Sequence, residues 1–303
     1  MHEESVIIPS AGLKLSGTVR VPDGIKPGEK RGAFLVLHGF GSNKSSGNVQ
    51  GPSKILNDLG YVTLGFDMRG CGKSEGEFGR LICLEQVEDT SNALTFLQNH
   101  PAVHPERIAV IGSSFGGAVS VYAGGVDERV AAVISNGGWG DGERKFRGQH
   151  RSPEEWARFM KILSDGREHR AKTGKSLMVS RYDVVPIPVH LRTNVVPGSV
   201  QEVPAETAQS MFDFRADDVV GKIAPRPLLL LHAADDSVTP TEQSIKLFKR
   251  AGQPAELHLI SDADHFMFGE RNARIWDLLR GWLELYFPAA TAPAKKAAAG
   301  SGH

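Results

Sequence analysis

The stretch RIAVIGSSFGGAVSVYAGG, residues 107–125, changes character at its centre. Ile108 to Ile111 is a short, branched, apolar run that suits a buried strand. From Phe115 the residues are small and apolar at helical spacing: Ala118, Val119, Val121, Tyr122, Ala123. A strand that becomes a helix within about three residues bends sharply, which strains the residue at the bend and demands small neighbours. Gly112-Ser113-Ser114-Phe115-Gly116 fits G-x-S-x-G centred on Ser114; centring on Ser113 would put Ile111 and Phe115 at the two glycine positions. Ser114 is therefore the expected tip of the turn, with its hydroxyl pushed outward. An ordinary glycine-rich strand–helix turn would share this pattern, so the rest of the chain has to decide.

Working outward, residues 6–21 alternate about Ser10-Ala11-Gly12 and read as a hairpin. Strands are expected at 33–37, 61–66, 130–134, 227–231 and 255–260. Helices are expected at 53–59, 84–99, 241–250 and 273–287. Strands alternating with helices predict an α/β fold, a mostly parallel sheet covered on both faces. The alternation breaks between Trp139 and Met211, where the chain is charged, carries a helical stretch at 153–163 and ends in VVPIPVHLRTNVVPG. The expected organisation is a core of 1–138 and 212–288, a cap insertion of 139–211, and a flexible low-complexity tail of 289–303.

A chain of 303 residues can bury roughly three quarters of its unfolded surface, which permits one large α/β domain with an insertion or two small domains. Thirty-five basic residues balance 35 acidic ones, which argues against nucleic acid or an anionic membrane as partner. Cys71 and Cys83 are too few for a disulfide scaffold and read as structural thiols. The segment MHEESVIIPSAG does not read as a signal peptide, and no run nears the ~20 apolar residues of a membrane span. A cytoplasmic location is expected. No His/Cys/Asp/Glu cluster has metal-ligand spacing, so neither metal nor cofactor is expected.

A serine hydroxyl is a poor nucleophile until a base takes its proton, and that base needs an orienting carboxylate. His265, in LHLISDADHFMFG, follows the strand ending at Ile260. Asp235 and Asp236 follow a four-leucine strand, and either could serve, although an Asp pair there could also cap the next helix. The order Ser, Asp, His suits a parallel sheet, where ligands bind beyond the carboxyl ends of the strands. A tetrahedral intermediate also needs two N–H donors. Phe115, at the start of the following helix, is one candidate; Phe40, in His38-Gly39-Phe40-Gly41, is the other. The sequence GCGKS is not a phosphate loop: Asp67 stands where that motif needs its first glycine, and EGEFG is a poor helix start.

With these residues in view, the chain resembles the α/β-hydrolase superfamily over residues 1–288. The resemblance rests on His38-Gly39-Phe40-Gly41, on DMRGCGKSEG at 67–76, on Gly112 to Gly117, and on Asp236 and His265. Within the superfamily it is similar to the dienelactone-hydrolase-like and prolyl-peptidase-like (cocaine-esterase-like) serine hydrolases. The resemblance implies Ser114, Asp236 and His265 as catalytic residues and Phe40 and Phe115 as the oxyanion hole. It selects Asp236 over Asp235, because Ala233, Asp236, Val238 and Pro240 fit the family spacing. Phe115 stands where prolyl-peptidase relatives usually carry Tyr, and no β-rich domain follows His265, which counts against exopeptidase activity. Serine at 114 argues against relatives with an Asp nucleophile. The implied activity is hydrolysis of a carboxylic ester through an acyl-enzyme. The alternatives are a C–C bond hydrolase acting on a β-dicarbonyl, a thioesterase, or a small amidase or peptidase. A binding protein without turnover would usually have lost a triad member, and none is missing. Trp139, Trp156 and Tyr182 are expected either to line the substrate pocket or to pack the insertion. The expected partner is a small-molecule substrate, and a homodimer stays open.

Overall fold

The apolar runs assemble into one eight-stranded sheet in the computed structural model, which describes residues 2–26, 28–269 and 272–289. The elements in chain order are β1 (His2–Ser10), β2 (Leu13–Val21), β3 (Arg31–Leu37), α1 (Gly47–Asp58), β4 (Val62–Phe66), α2 (Cys83–Gln98), β5 (Val103–Ser113), α3 (Phe115–Val126) and β6 (Val130–Asn136). Then follow α4 (Gly142–Gln149), α5 (Pro153–Thr173), β7 (Met178–Ser180), α6 (Arg181–Val184), β8 (Glu202–Pro204) and α7 (Ala205–Asp213). The chain closes with β9 (Leu228–Ala233), α8 (Glu242–Arg250), β10 (Ala255–Ile260) and α9 (Ala273–Tyr286).

The sheet order is β1-β2-β4-β3-β5-β6-β9-β10. Pairings from β4 to β10 are parallel; β1 and β2 join antiparallel at one edge. The period-two geometry of strands sends successive side chains to opposite faces. Leu35, Leu37, Val110 and Val133 thus pack with Leu94 and Val119 of α2 and α3. Phe34, Val36, Ile111 and Ile134 pack with Leu56 and Leu279 of α1 and α9. From β3 the chain steps to β4 on one side and returns to β5 on the other. The loops after β3 and β5 therefore diverge, and a crevice opens at their carboxyl ends.

The DMRGCGKSEG loop braces this edge through Asp67. Asp67 Oδ1 accepts from the Lys44 backbone N–H at 2.6 Å, and Oδ2 accepts from Lys44 Nζ at 2.7 Å and the Lys73 N–H at 3.0 Å. Gly72 sits at φ +54°, and a Cβ there would lie 2.4 Å from the Asp67 carboxyl carbon.

The segment between β6 and β9 adds helices and the small antiparallel pair β7–β8. Its main helix, expected at 153–163, continues to Thr173 and stops at Gly174, whose φ is +71°. Beyond Leu163 it buries only Gly166, so no apolar period marks those turns. They carry instead the exposed i,i+4 pair Lys172–Glu168, after Lys161–Asp165. The expected tail falls, apart from Ala289, outside the described residues. Among the described residues no helix is long and apolar enough to cross a membrane, and no cluster of three His/Cys/Asp/Glu could hold a metal.

Candidate active site

The turn between β5 and α3 shows why its glycines are needed. A Cβ on Gly112 would lie 2.2 Å from the Gly116 carbonyl oxygen, and one on Gly116 would lie 2.6 Å from the His38 carbonyl oxygen. Between them Ser114 adopts φ +57°, ψ −116°, a conformation that costs a non-glycine residue on the order of 1–3 kcal/mol. Its N–H donates to the Asn136 carbonyl at 2.8 Å, which helps hold the bend. The two serines part company here. Ser113 is fully buried and its Oγ accepts from Asn136 Nδ2 at 3.1 Å, whereas Ser114 is partly exposed and lines a cleft.

The loops after β9 and β10 bring Asp236 and His265 to the same edge. Nδ1 of His265 lies 2.9 Å from Asp236 Oδ2 and 3.1 Å from Oδ1. Asp236 Oδ1 also accepts the N–H groups of Val238 at 2.8 Å and Thr239 at 2.7 Å. His232 Nε2 stands 3.3 Å from Oδ2. Burial alone would raise the Asp236 carboxyl, but the charge interaction with His265 and hydrogen bonds from His232 and His265 prevail and hold it well below the usual carboxylate range. Asp235 is exposed. Asp264 ties the two loops together, its Oδ1 accepting from the Ser237 N–H at 2.9 Å and the His265 N–H at 2.7 Å. Sequence reasoning missed both His232 and Asp264. His232 reads as an ordinary strand residue; Asp264, adjoining His265 in SDADH, carried the only available signal.

Ser114, His265, Gly39 and Phe40 line one narrow cleft, with about 60 Å³ open to the centre of a water molecule. No hydrogen bond joins Ser114 to His265 among the described residues; such contacts commonly tighten only when substrate binds. The Phe115 N–H belongs to the first turn of α3 and so has no intrahelical acceptor. Phe40 is presented by a buried brace. His38 Nε2 accepts from the Met68 N–H at 3.1 Å, which leaves the proton on Nδ1, 2.8 Å from the Gly39 carbonyl. Burial favours the neutral imidazole, lowering its basicity. The Gly39 carbonyl and the Phe40 N–H share one trans peptide and point in opposite directions, so holding the first aims the second.

Trp139, Trp156 and Tyr182 lie outside the set of residues lining this cleft. Trp139 packs behind the bend, its ring 5.7 Å from Phe115 and 6.4 Å from Phe214. Trp156 packs on Phe159 and Phe212, and Tyr182 faces Arg192, whose guanidinium carbon is 4.1 Å from the ring centroid. The insertion contributes Arg181, Val185, Ile187, Asn194 and Val195 to the cleft instead.

Comparison with known proteins adds the following. The profile of the family described as serine aminopeptidase, S33, matches residues 28–272. An uncharacterized 31.7 kDa protein from the traX-finO intergenic region of Escherichia coli is 29% identical over 268 residues, covering 85% of this chain and 89% of that one. Thiohydrolase aneE of Aspergillus aculeatus is 26% identical over 285 residues, covering 87% and 86%. Among solved structures, a hypothetical protein from Pseudomonas aeruginosa shares the fold with a TM-score of 0.82, at 23% identity and 94% coverage of both chains.

Proposed function

The chain belongs to the serine aminopeptidase S33 family of α/β-hydrolases, and on that premise we propose that it hydrolyses a carboxylic ester through an acyl-enzyme on Ser114. The observation that carries this reading is the shared cleft. A serine at positive φ faces it together with His265, whose Nδ1 stands 2.9 Å from a buried carboxylate.

In the proposed cycle, Asp236 fixes the tautomer of His265 with its proton on Nδ1, leaving Nε2 free to accept. Ser114 Oγ attacks the ester carbonyl carbon while its proton passes to Nε2. The carbonyl oxygen becomes the oxyanion and takes hydrogen bonds from the Phe40 and Phe115 N–H groups. The C–O bond to the alcohol breaks, and the imidazolium gives its proton to the leaving oxygen. Water then repeats the sequence on the acyl-enzyme, which releases the acid and restores Ser114. Residues 139–211 serve as a cap over the core of 1–138 and 212–288, and Val185, Ile187 and Val195 offer the acyl chain an apolar wall.

A thioester is the second reading, supported by the relationship to the Aspergillus thiohydrolase. Matched oxygen esters and thioesters of the same acyl chain separate the two, assayed beside an aryl diketone for C–C cleavage. The proposal expects the highest kcat/KM for the oxygen ester. A reversed preference transfers the assignment to thioesters, and turnover of the diketone alone would refute it.

A further inference from the structure

Arg181 is the residue the proposed cycle leaves unused. It belongs to the insertion, sits at the start of α6 directly after β7, and is only 3% exposed. Among the described residues no carboxylate pairs with it. Its basicity is lowered by burial, with only Tyr182 and Cys71 acting in the other direction. Burying a guanidinium without a counter-charge is costly unless its donors are well used. Its donors are spent on two backbone carbonyls: Nη2 donates to Phe40 O at 2.7 Å and Nη1 to Val200 O at 2.7 Å. Nε is buried without a partner, and the side chain lines the cleft beside Ser114.

The contact on Phe40 is one of a series. The Gly39 carbonyl accepts from His38 Nδ1 at 2.8 Å and from the Ser42 N–H at 3.1 Å. The Phe40 carbonyl accepts from Arg181, and the Gly41 carbonyl accepts from the Val200 N–H at 2.8 Å. Three successive carbonyls of the loop are therefore held, the last two by the insertion. Gly41, at φ +55°, is the position where the loop could otherwise swing freely. The small β7–β8 sheet sets up the clamp. It pairs Ser180 with Glu202, so Arg181 and Val200 leave it side by side, and the Arg181 N–H donates to Gln201 O at 2.8 Å.

We propose that Arg181 is a positioning residue for the oxyanion site. By tying the Phe40 carbonyl to the Val200 carbonyl it fixes the peptide that follows Phe40, while His38 and Ser42 hold the carbonyl of the peptide that precedes it, so that Phe40 is pinned on both sides with its N–H aimed at the developing oxyanion, and it makes the insertion part of the chemical apparatus. The inference rests on the Ser114 acyl-enzyme reading. Positioning a donor acts on the transition state and leaves ground-state binding nearly unchanged.

The test compares wild type, Arg181→Met and Arg181→Lys. Active sites are first titrated with a fluorophosphonate, so that rates are expressed per competent site. Arg181→Met should lower kcat per titrated site by about 10–100-fold with KM changed less than about 3-fold, since removal of a whole oxyanion donor costs about 10²–10³. Affinity for a boronic acid that mimics the tetrahedral adduct should fall by a similar factor. Lysine keeps the charge but offers a compact ammonium in place of a fork, so Arg181→Lys should fall between the other two; it also serves if the Met variant fails to fold. A purely structural role would lower the titratable fraction and the melting temperature while leaving kcat per site and boronic acid affinity intact, and would overturn the proposal. So would a rise in KM confined to anionic esters with kcat unchanged, which would make Arg181 a substrate-binding group. Failure of the wild type to form any fluorophosphonate adduct on Ser114 would overturn the underlying reading as well, and is distinguishable because it appears before any variant is compared.

Discussion

Replacing Asp236 by Asn tests how the acid works, and the structure specifies the outcome. Oδ1 accepts two backbone N–H groups, from Val238 and Thr239, at 2.8 and 2.7 Å. An asparagine must keep its carbonyl oxygen there, because an NH₂ group cannot accept. The NH₂ is then forced into the Oδ2 position, 2.9 Å from His265 Nδ1 and 3.3 Å from His232 Nε2. It donates to Nδ1, so the His265 proton moves to Nε2 and the ring can no longer accept from Ser114. The imidazolium formed in each step also loses its counter-charge. Together these should cut kcat by roughly 10⁴, the loss known for the same change in another serine hydrolase. Asp235→Asn, at an exposed position, should stay within about 3-fold of wild type, as surface changes usually do. Ester hydrolysis is followed at neutral pH, with melting curves alongside. Because Asp236 is held below its ordinary value of 3.8, it stabilises the fold above that pH, and the contribution is lost as pH falls through the lower folded value. The Asn variant should lack that acid-side loss. An Asp236→Asn enzyme retaining a tenth of wild-type kcat, or an equal loss in Asp235→Asn, would refute the reasoning.

Lys145 is buried against Phe146 and Trp139, with Nζ 3.9 and 4.8 Å from the ring centroids and bonded to Gln149 Oε1 at 2.8 Å. Burial brings its ammonium down to about 7 from 10.5, so the unfolded chain holds a proton that the native protein lacks between those values and stability should rise with pH across that window; Lys145→Met should flatten the rise in melting curves taken from pH 6 to about 10. Trp156→Ala should lower stability by about 1–2 kcal/mol through lost packing on Phe159 and Phe212; the ratio of long-chain to short-chain ester rates should stay the same, and a changed ratio with an unaltered melting temperature would put Trp156 against substrate.

The parts of this molecule that were legible in the sequence are those where local geometry restricts residue type. The bend at Gly112 to Gly116 admits only glycine at two positions, so counting alone distinguishes Ser114 from Ser113. The buried strands read directly because both faces are covered and the runs are continuously apolar. Helix α1 begins at Gly47, six residues before the expected start, because GNVQGP has no helical signal and is carried by its contact with the sheet. The insertion was the least legible. Its aromatic residues satisfy one another, while the cleft takes Val185, Ile187 and Val195 from an irregular, Pro-rich stretch with no periodicity to read. Arg181 gave no signal at all, since its partners are backbone carbonyls from residues 141 and 19 positions away in sequence.

The central claim is that an acyl group passes through Ser114. The most direct measurement is rapid acid quenching of the reaction with an activated short-chain ester, followed by peptide mapping by mass spectrometry. The acyl mass should appear on the peptide carrying Ser113 and Ser114, with fragment ions assigning it to Ser114. It should persist in Ser113→Ala and vanish in Ser114→Ala together with turnover. An adduct on Ser113 or on another residue, or full turnover by Ser114→Ala, would contradict the account.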